Sequence, residues 1–383
     1  MAHISLLVVV VIITALAFDF TNGFHDTANA MATSIATGAL RPKVAVLISG
    51  VLNLAGAFLS TKVAQTISSG IVNDKLVTPA IIFAGLVGAI LWNLATWLIG
   101  LPSSSSHALF GGLIGAVWVG AGINGVHFDQ VISKILLPAV ASPVIAGIGA
   151  MTATYLAYRI SRRAREAREG TVTSGFRHGQ TISASLVSLA HGTNDAQKTM
   201  GVITLTLIST GALAAGASPP YWVIAAAGLA IGLGTYLGGW RIIRTMGTRL
   251  TDIAPPQGFA AEAGSTAVIL SSANLGFALS TTHVVAGSVL GSGVGRRLAQ
   301  VRWSVAGQMA LAWLLTLPAA ATVGALAAAV AVRGTLGVAI IGLIAIAVAV
   351  TIYAVSRREP VTATNVNDLP PVDAQRAALS PAG

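Results

Sequence analysis

Apolar stretches of about twenty residues follow one another along almost the whole chain, from about 4–18 to about 335–356, and they are rich in Ala, Leu, Val, Ile and Gly. A helix of that length spans the roughly 30 Å hydrocarbon core of a bilayer. Only 9% of the residues are Asp, Glu, Lys or Arg, whereas soluble domains carry roughly 25%, so the chain cannot coat a globule in water. A transmembrane barrel needs ten-residue strands of alternating polarity, and these runs are longer and do not alternate. The sequence therefore predicts an all-α, polytopic transmembrane helical bundle. Some runs are short or interrupted by Gly, Ser and Pro, so broken helices are expected, with roughly nine to twelve full crossings.

Lys and Arg number 22 against 12 Asp and Glu, a net charge of +10. The basic residues lie mainly between apolar runs and are not interleaved with aromatics, which fits cytoplasmic loops under the positive-inside rule and not nucleic-acid binding. Arg159, Arg162, Arg163, Arg165 and Arg168 open a polar stretch that divides the chain almost in half. The expected organisation is a first transmembrane repeat over 1–158, a basic cytoplasmic linker over 159–180, a second repeat over 181–356 and a disordered tail over 357–383 with Pro360, Pro370 and Pro371. The N-terminal run lacks a basic start and leads into Asp19, so it reads as a retained span and not a signal peptide. The absence of cysteine excludes disulfides, thiolate metal sites and cysteine nucleophiles.

The two halves repeat each other. Gly23, Asp26, Asn29 and Met31 recur 169 residues later as Gly192, Asp195, Lys198 and Met200. Thr37-Gly-Ala-Leu40 recurs 173 later as Thr210-Gly-Ala-Leu213, and Ser105-Ser-His107 recurs 176 later as Thr281-Thr-His283. Ordered matches with a slowly growing offset mark an internal duplication. Duplicated membrane halves commonly sit in opposite orientation, with the binding site where broken helices meet near the midplane. Two inverted repeats with re-entrant helical hairpins are therefore the expected architecture.

Asp26 and Asn29, three apart, share one helix face. Carboxylate, amide and freed carbonyl oxygens suit an alkali cation, and an aspartate alone suits a proton; Gly23 and Gly192 are expected to let the backbone unwind there. Charge at bilayer depth costs several kcal/mol and is a functional candidate by default, although a lone Asp can equally pair with a Lys or cap a helix. The runs Pro102-Ser-Ser-Ser-Ser-His107 and Ser280-Thr-Thr-His283 look like helix N-termini, whose free N–H groups and partial positive charge attract anions. The blander reading is helix packing through hydroxyls. His25 is placed to relay protons or to pack. His107 and His283 are expected to orient the hydroxyl loops and not to bind metal, and Asp19 and Glu262 are further intramembrane carboxylates. The serines lack a Gly-x-Ser-x-Gly setting, so no enzyme is expected.

Gly23-Phe-His-Asp26-Thr-Ala-Asn29, His191-Gly-Thr-Asn-Asp195-Ala-Gln-Lys198 and the two hydroxyl runs resemble the inorganic phosphate transporter (PiT) family, in its low-affinity bacterial permease type, over residues from about 15 to 330. The resemblance implies a multi-pass secondary transporter of the plasma or inner membrane that imports inorganic phosphate, free or as a metal–phosphate complex, by symport with H+ or Na+. It implies no resident metal or other cofactor and no nucleic-acid partner, and it leaves homo-oligomerisation open. Ser104, Ser105, Ser106, Ser280, Thr281 and Thr282 would contact phosphate, while Asp26, Asn29, Asp195 and Lys198 would couple the cation. Sodium-coupled members resemble each other in keeping Asn in both copies of the Asp motif. Lys198 departs from that pattern and favours protons over sodium. A sulfate or related oxyanion permease of the same fold is the alternative.

Overall fold

The computed structural model describes residues 5–165, 169–296 and 301–368. Among the described residues there are fourteen α-helices connected by short turns, and the extended structure amounts to two isolated bridges, Val72–Val126 and Thr251–Val301. The bundle buries charged and polar side chains within an apolar core and is apolar outside. Asp19, Asp26, Asp195, Lys198 and Glu262 are buried, whereas Leu314 (73% exposed), Leu336 (74%) and Val140 (73%) face outward. Such an arrangement is stable only where the surroundings are hydrocarbon. Among the described residues, five helices are long and apolar enough to cross a membrane, or six when the bent pair 221–237 and 240–249 counts as one span. That is fewer than hydropathy along the chain suggests.

The shortfall has a physical cause. Helix α1 (Leu6–Ala36) and helix α8 (Glu169–Ser209) are both continuous, and α8 buries a polar stripe (Ser188, His191, Asp195, Lys198) that lowers its hydropathy without breaking the backbone. Gly23 and Gly192 do not unwind their helices as expected. They are close-approach points instead: a Cβ on Gly23 would lie 2.9 Å from Thr235 N, and one on Gly192 would lie 2.5 Å from Asn53 Cα. The real breaks fall at glycines that only a left-handed backbone accommodates. Gly38 (φ 69°) and Gly211 (φ 72°) are one matched pair, and Gly100 (φ 68°) and Gly276 (φ 74°) are the other.

The second of these pairs makes the tips of two hairpins, α4 (Pro79–Leu98) with α5 (Ser105–Ala121) and α11 (Pro255–Asn274) with α12 (Thr281–Arg296). Packing between the halves is reciprocal. Helix α5 lies against α13 (Trp303–Ala331), and α12 lies against α7 (Leu137–Arg165). Similarly, α1 packs on α9 (Tyr221–Leu237) and α8 packs on α2 (Pro42–Gly56). Helices α1 and α8 cross antiparallel at the centre: Thr37 meets Gln180, Asp26 meets Asp195, and Asp19 faces Thr199.

The basic stretch expected as a linker is helical on both sides of residues 166–168, which with Arg168 lie outside the described residues. The chain leaves α14 (Thr335–Ser356) and turns back onto the bundle, where Val366 is buried. Residues 369–383 of the expected tail lie outside the described residues.

Candidate functional site

Both hydroxyl runs become helix starts. Ser104 Oγ accepts from His107 N (3.1 Å) at the head of α5, and Ser280 Oγ accepts from His283 N (3.3 Å) at the head of α12. Each capping serine leaves the next two residues, Ser105 and Ser106 or Thr281 and Thr282, in the first turn, where backbone N–H groups have no intrahelical acceptor. The two heads meet. Ser106 Oγ donates to Leu279 O (3.3 Å), and the rings of His107 and His283 lie edge to face with centroids 4.8 Å apart. His283 is oriented further by Ala139 O and by Trp313.

The aspartate motifs of α1 and α8 converge on this point. Ser105 Oγ donates to Asp26 Oδ2 (2.6 Å), and Thr281 Oγ1 donates to Asp195 Oδ2 (3.2 Å). The third member of each motif crosses to the opposite half: Asn29 Nδ2 donates to Thr282 Oγ1 (3.0 Å) and Thr281 Oγ1 (3.3 Å), and Lys198 Nζ donates to Ser106 Oγ (2.5 Å). Lys198 also pairs with Asp195 in a contact buried on both sides. Asp26, Asn29, Asp195, Lys198, Ser105, Ser106, Thr281 and Thr282 thus form one network, with Ser104 and Ser280 holding the helix heads behind it.

Three members, His191, Asn53 and Thr235, were not among the sequence candidates, whereas His25 and Glu262 were. His191 lies with Asp26 and Asp195, one ligand atom of each within 4.8 Å of the others. Its Nδ1 meets Asn53 Oδ1 at 3.1 Å, and Asn53 in turn donates to Thr235 Oγ1 (2.8 Å). The offset of 169 pairs His191 with Asn22, a signal of shared placement that residue type alone hides. His25 Nδ1 lies 2.6 Å from Asp26 Oδ1, and its Nε2 approaches Thr96 (3.1 Å) and Ser103 (3.3 Å). Toward the α1 C-terminus, Glu262 accepts from Thr33 (2.5 Å), Ser183 (2.5 Å) and Gln180 (3.2 Å). Polar groups therefore line the antiparallel α1–α8 pair over most of its length.

Asp26 and Asp195 bring two carboxylates to the centre and Lys198 brings one ammonium. Asp26, His191 and Asp195 could hold a divalent ion, and the helix heads could hold an oxyanion. A bundle coated with apolar side chains that buries such a centre is a membrane transport protein, and it is built of the two matched halves. The chain belongs to the phosphate transporter family, which its residues 22–324 match. It is 58% identical over 368 residues (94% of this chain, 87% of the relative) to the "Probable low-affinity inorganic phosphate transporter" of Mycobacterium bovis. It is 41% identical over 327 residues (84% and 96%) to the protein of the same description from Bacillus subtilis. Among solved structures, "The sodium-dependent phosphate transporter" superposes with a TM-score of 0.75 at 25% identity, covering 84% of this chain and 98% of that one. These relatives are transporters, not enzymes.

Proposed function

We propose that this protein imports inorganic phosphate across the cell membrane by symport with a monovalent cation, a proton in preference to sodium. The reading rests on one observation: the Lys198 ammonium is bonded to Asp195 and Ser106 at the place where the first half carries the Asn29 amide. A fixed positive charge there repels a sodium ion from the second-half carboxylate while leaving Asp26 and Asp195 to share a mobile positive charge. Phosphate is anionic, and the centre already holds two carboxylates, so cargo entry needs an accompanying cation. Ser105, Ser106, Thr281 and Thr282, with Ser104 and Ser280 behind them, present the donors to phosphate. Asp26, Asn29, Asp195 and Lys198 couple the cation. The antiparallel crossing of α1 and α8 supports inverted halves that rock about this point in alternating access.

Labelled phosphate uptake into proteoliposomes tests the reading. We expect accumulation driven by an inward proton gradient, with weak competition by sulfate, since the aspartates can accept a hydrogen bond from the hydroxyl of hydrogen phosphate and sulfate offers none. Uptake that depends strictly on a sodium gradient and ignores pH refutes proton coupling. Dominant competition by sulfate refutes the substrate. A second form of the cargo is favoured by the Asp26–His191–Asp195 cluster, namely a neutral complex of phosphate with a divalent metal. In that case labelled metal enters together with phosphate, and chelation stops both.

A further inference from the structure

Two helical turns before the central cluster, Asp19 is fully buried and neither of its carboxylate oxygens has a hydrogen-bond partner. One turn on, Asn22 is buried with both amide atoms unpartnered, and across the helix pair the Thr199 hydroxyl of α8 is in the same condition. These groups lie together: Thr199 and Asn22 are the polar side chains beside the Asp19 carboxyl, and the charged groups that face it are Asp195 and Lys198 of α8. An unsatisfied buried polar atom is costly, and a carboxylate at bilayer depth is more so. Four unpartnered side-chain oxygens in one buried place, two from Asp19 and one each from Asn22 and Thr199, form a ligand set without its ligand. Hard oxygen donors of this kind, one of them anionic, suit a small monovalent cation.

The duplication isolates the feature. The offset of 169 places Ser188 and His191 where α1 has Asp19 and Asn22, so the set exists once and not twice. Lys198 likewise stands in place of Asn29, and Thr199 in place of Ala30. An added acid on α1 and an added base on α8 therefore face each other across the crossing. Lys198 already satisfies Asp195, whereas both Asp19 oxygens are without a hydrogen-bond partner.

We propose that Asp19, Asn22 and Thr199 form a second cation site, separate from the central cluster, which takes up a monovalent cation in addition to the one that Asp26 and Asp195 share. Lys198, held between Asp195 and Ser106, keeps this second cation off Asp195. This inference rests on the symport reading above and gives it a further cation.

The test uses the full chain in proteoliposomes with two kinds of readout. Phosphate counterflow at equal cation concentration on both sides reports cargo binding and alternation alone. Gradient-driven accumulation, with an internal pH dye in one arm and labelled sodium in the other, reports the cation and identifies it. We expect Asp19→Asn to retain counterflow but to lose accumulation, together with part of the cation entry seen for the wild type in whichever arm carries it. Thr199→Val, which removes a single hydroxyl, is expected to shift the half-saturating cation concentration about tenfold, and it decides the matter should Asp19→Asn not fold. Asp19→Asn that accumulates phosphate with wild-type cation entry overturns the proposal, as does a folded Asp19→Asn that also loses counterflow, or Thr199→Val with unaltered cation dependence. Each of those results leaves the symport reading standing. Wild-type vesicles that take up no phosphate overturn both.

Discussion

Lys198 Nζ donates to Ser106 Oγ at 2.5 Å, so the buried ammonium of the second half is bonded to the hydroxyl run of the first. Asn29 makes the reciprocal connection, from the first half to Thr281 and Thr282 of the second. The two halves are therefore tied at their helix heads by residues that differ only in this one respect, an amide against an ammonium.

Converting Lys198 to Asn makes the two motifs alike. The substitution frees Asp195 from its fixed counter-charge and supplies an amide oxygen beside it, as Asn29 does beside Asp26. Lys198→Asn is expected to gain sodium-stimulated phosphate uptake and to lose part of its response to a proton gradient. Initial rates in vesicles with and without sodium at fixed pH measure the change, and a sodium-insensitive variant contradicts the role given to the ammonium.

The same pair makes a stability prediction. Removing one member of a buried ion pair leaves the other uncompensated and costs about 3–5 kcal/mol, whereas replacing both is often nearly neutral. Lys198→Met is accordingly expected to lower the thermal midpoint in detergent strongly. Asp195→Asn combined with Lys198→Met should recover most of that loss yet still transport little, as the coupling role proposed for Asp195 requires. Asp26→Asn, beside His25 and Ser105, should likewise fold and fail in transport.

Much of this was legible in the sequence because polar residues in an apolar chain stand out. The aspartate motifs, the hydroxyl runs and their repetition identified the helix heads and the centre before any coordinates. Three things stayed hidden. Gly23 and Gly192 resembled helix breakers, but their value is contact with α9 and α2, which depends on partners distant in the chain. Helix α8 (Glu169–Ser209) was divided in the sequence between a basic linker and an apolar run, because its first turns are polar although the backbone runs on unbroken. Finally, the grouping of His191, Asn53 and Thr235 joins three different helices, and no local spacing encodes it.

Gly192→Ala tests the contact reading. An added Cβ would stand 2.5 Å from Asn53 Cα, so α2 must move away from α8, and overpacking of this kind costs about 1–3 kcal/mol. Asn53 holds His191 Nδ1, which places the movement next to the central cluster. The variant is expected to melt at lower temperature and to need more phosphate for half-maximal uptake. Gly38→Ala is the contrast: nothing lies within 4 Å of an added Cβ there, but φ is 69°, so backbone strain lowers stability without altering the phosphate concentration needed. Equal effects of the two substitutions on half-saturation would count against the contact argument.

The chain beyond α14 supplies a last test, independent of the transport site. The Arg241 guanidinium donates to Ser356 O (2.9 Å) and Glu359 O (2.5 Å), and Arg244 donates to Asn365 O (2.6 Å). Val366 is only 1% exposed, and Asn367 Nδ2 donates to Ile35 O (3.3 Å) at the end of α1. Two arginines of the second half thus bind the terminal segment to the end of a first-half helix, through hydrogen bonds from a charged donor that contribute about 1.5–3 kcal/mol each. Arg244→Ala removes one such anchor without touching the buried centre. Residues 357–368 should then be cut faster by proteinase K in the detergent-solubilised protein, with phosphate counterflow retained. If cleavage proceeds at the wild-type rate, Arg244 does not hold the segment, and the burial of Val366 must suffice by itself.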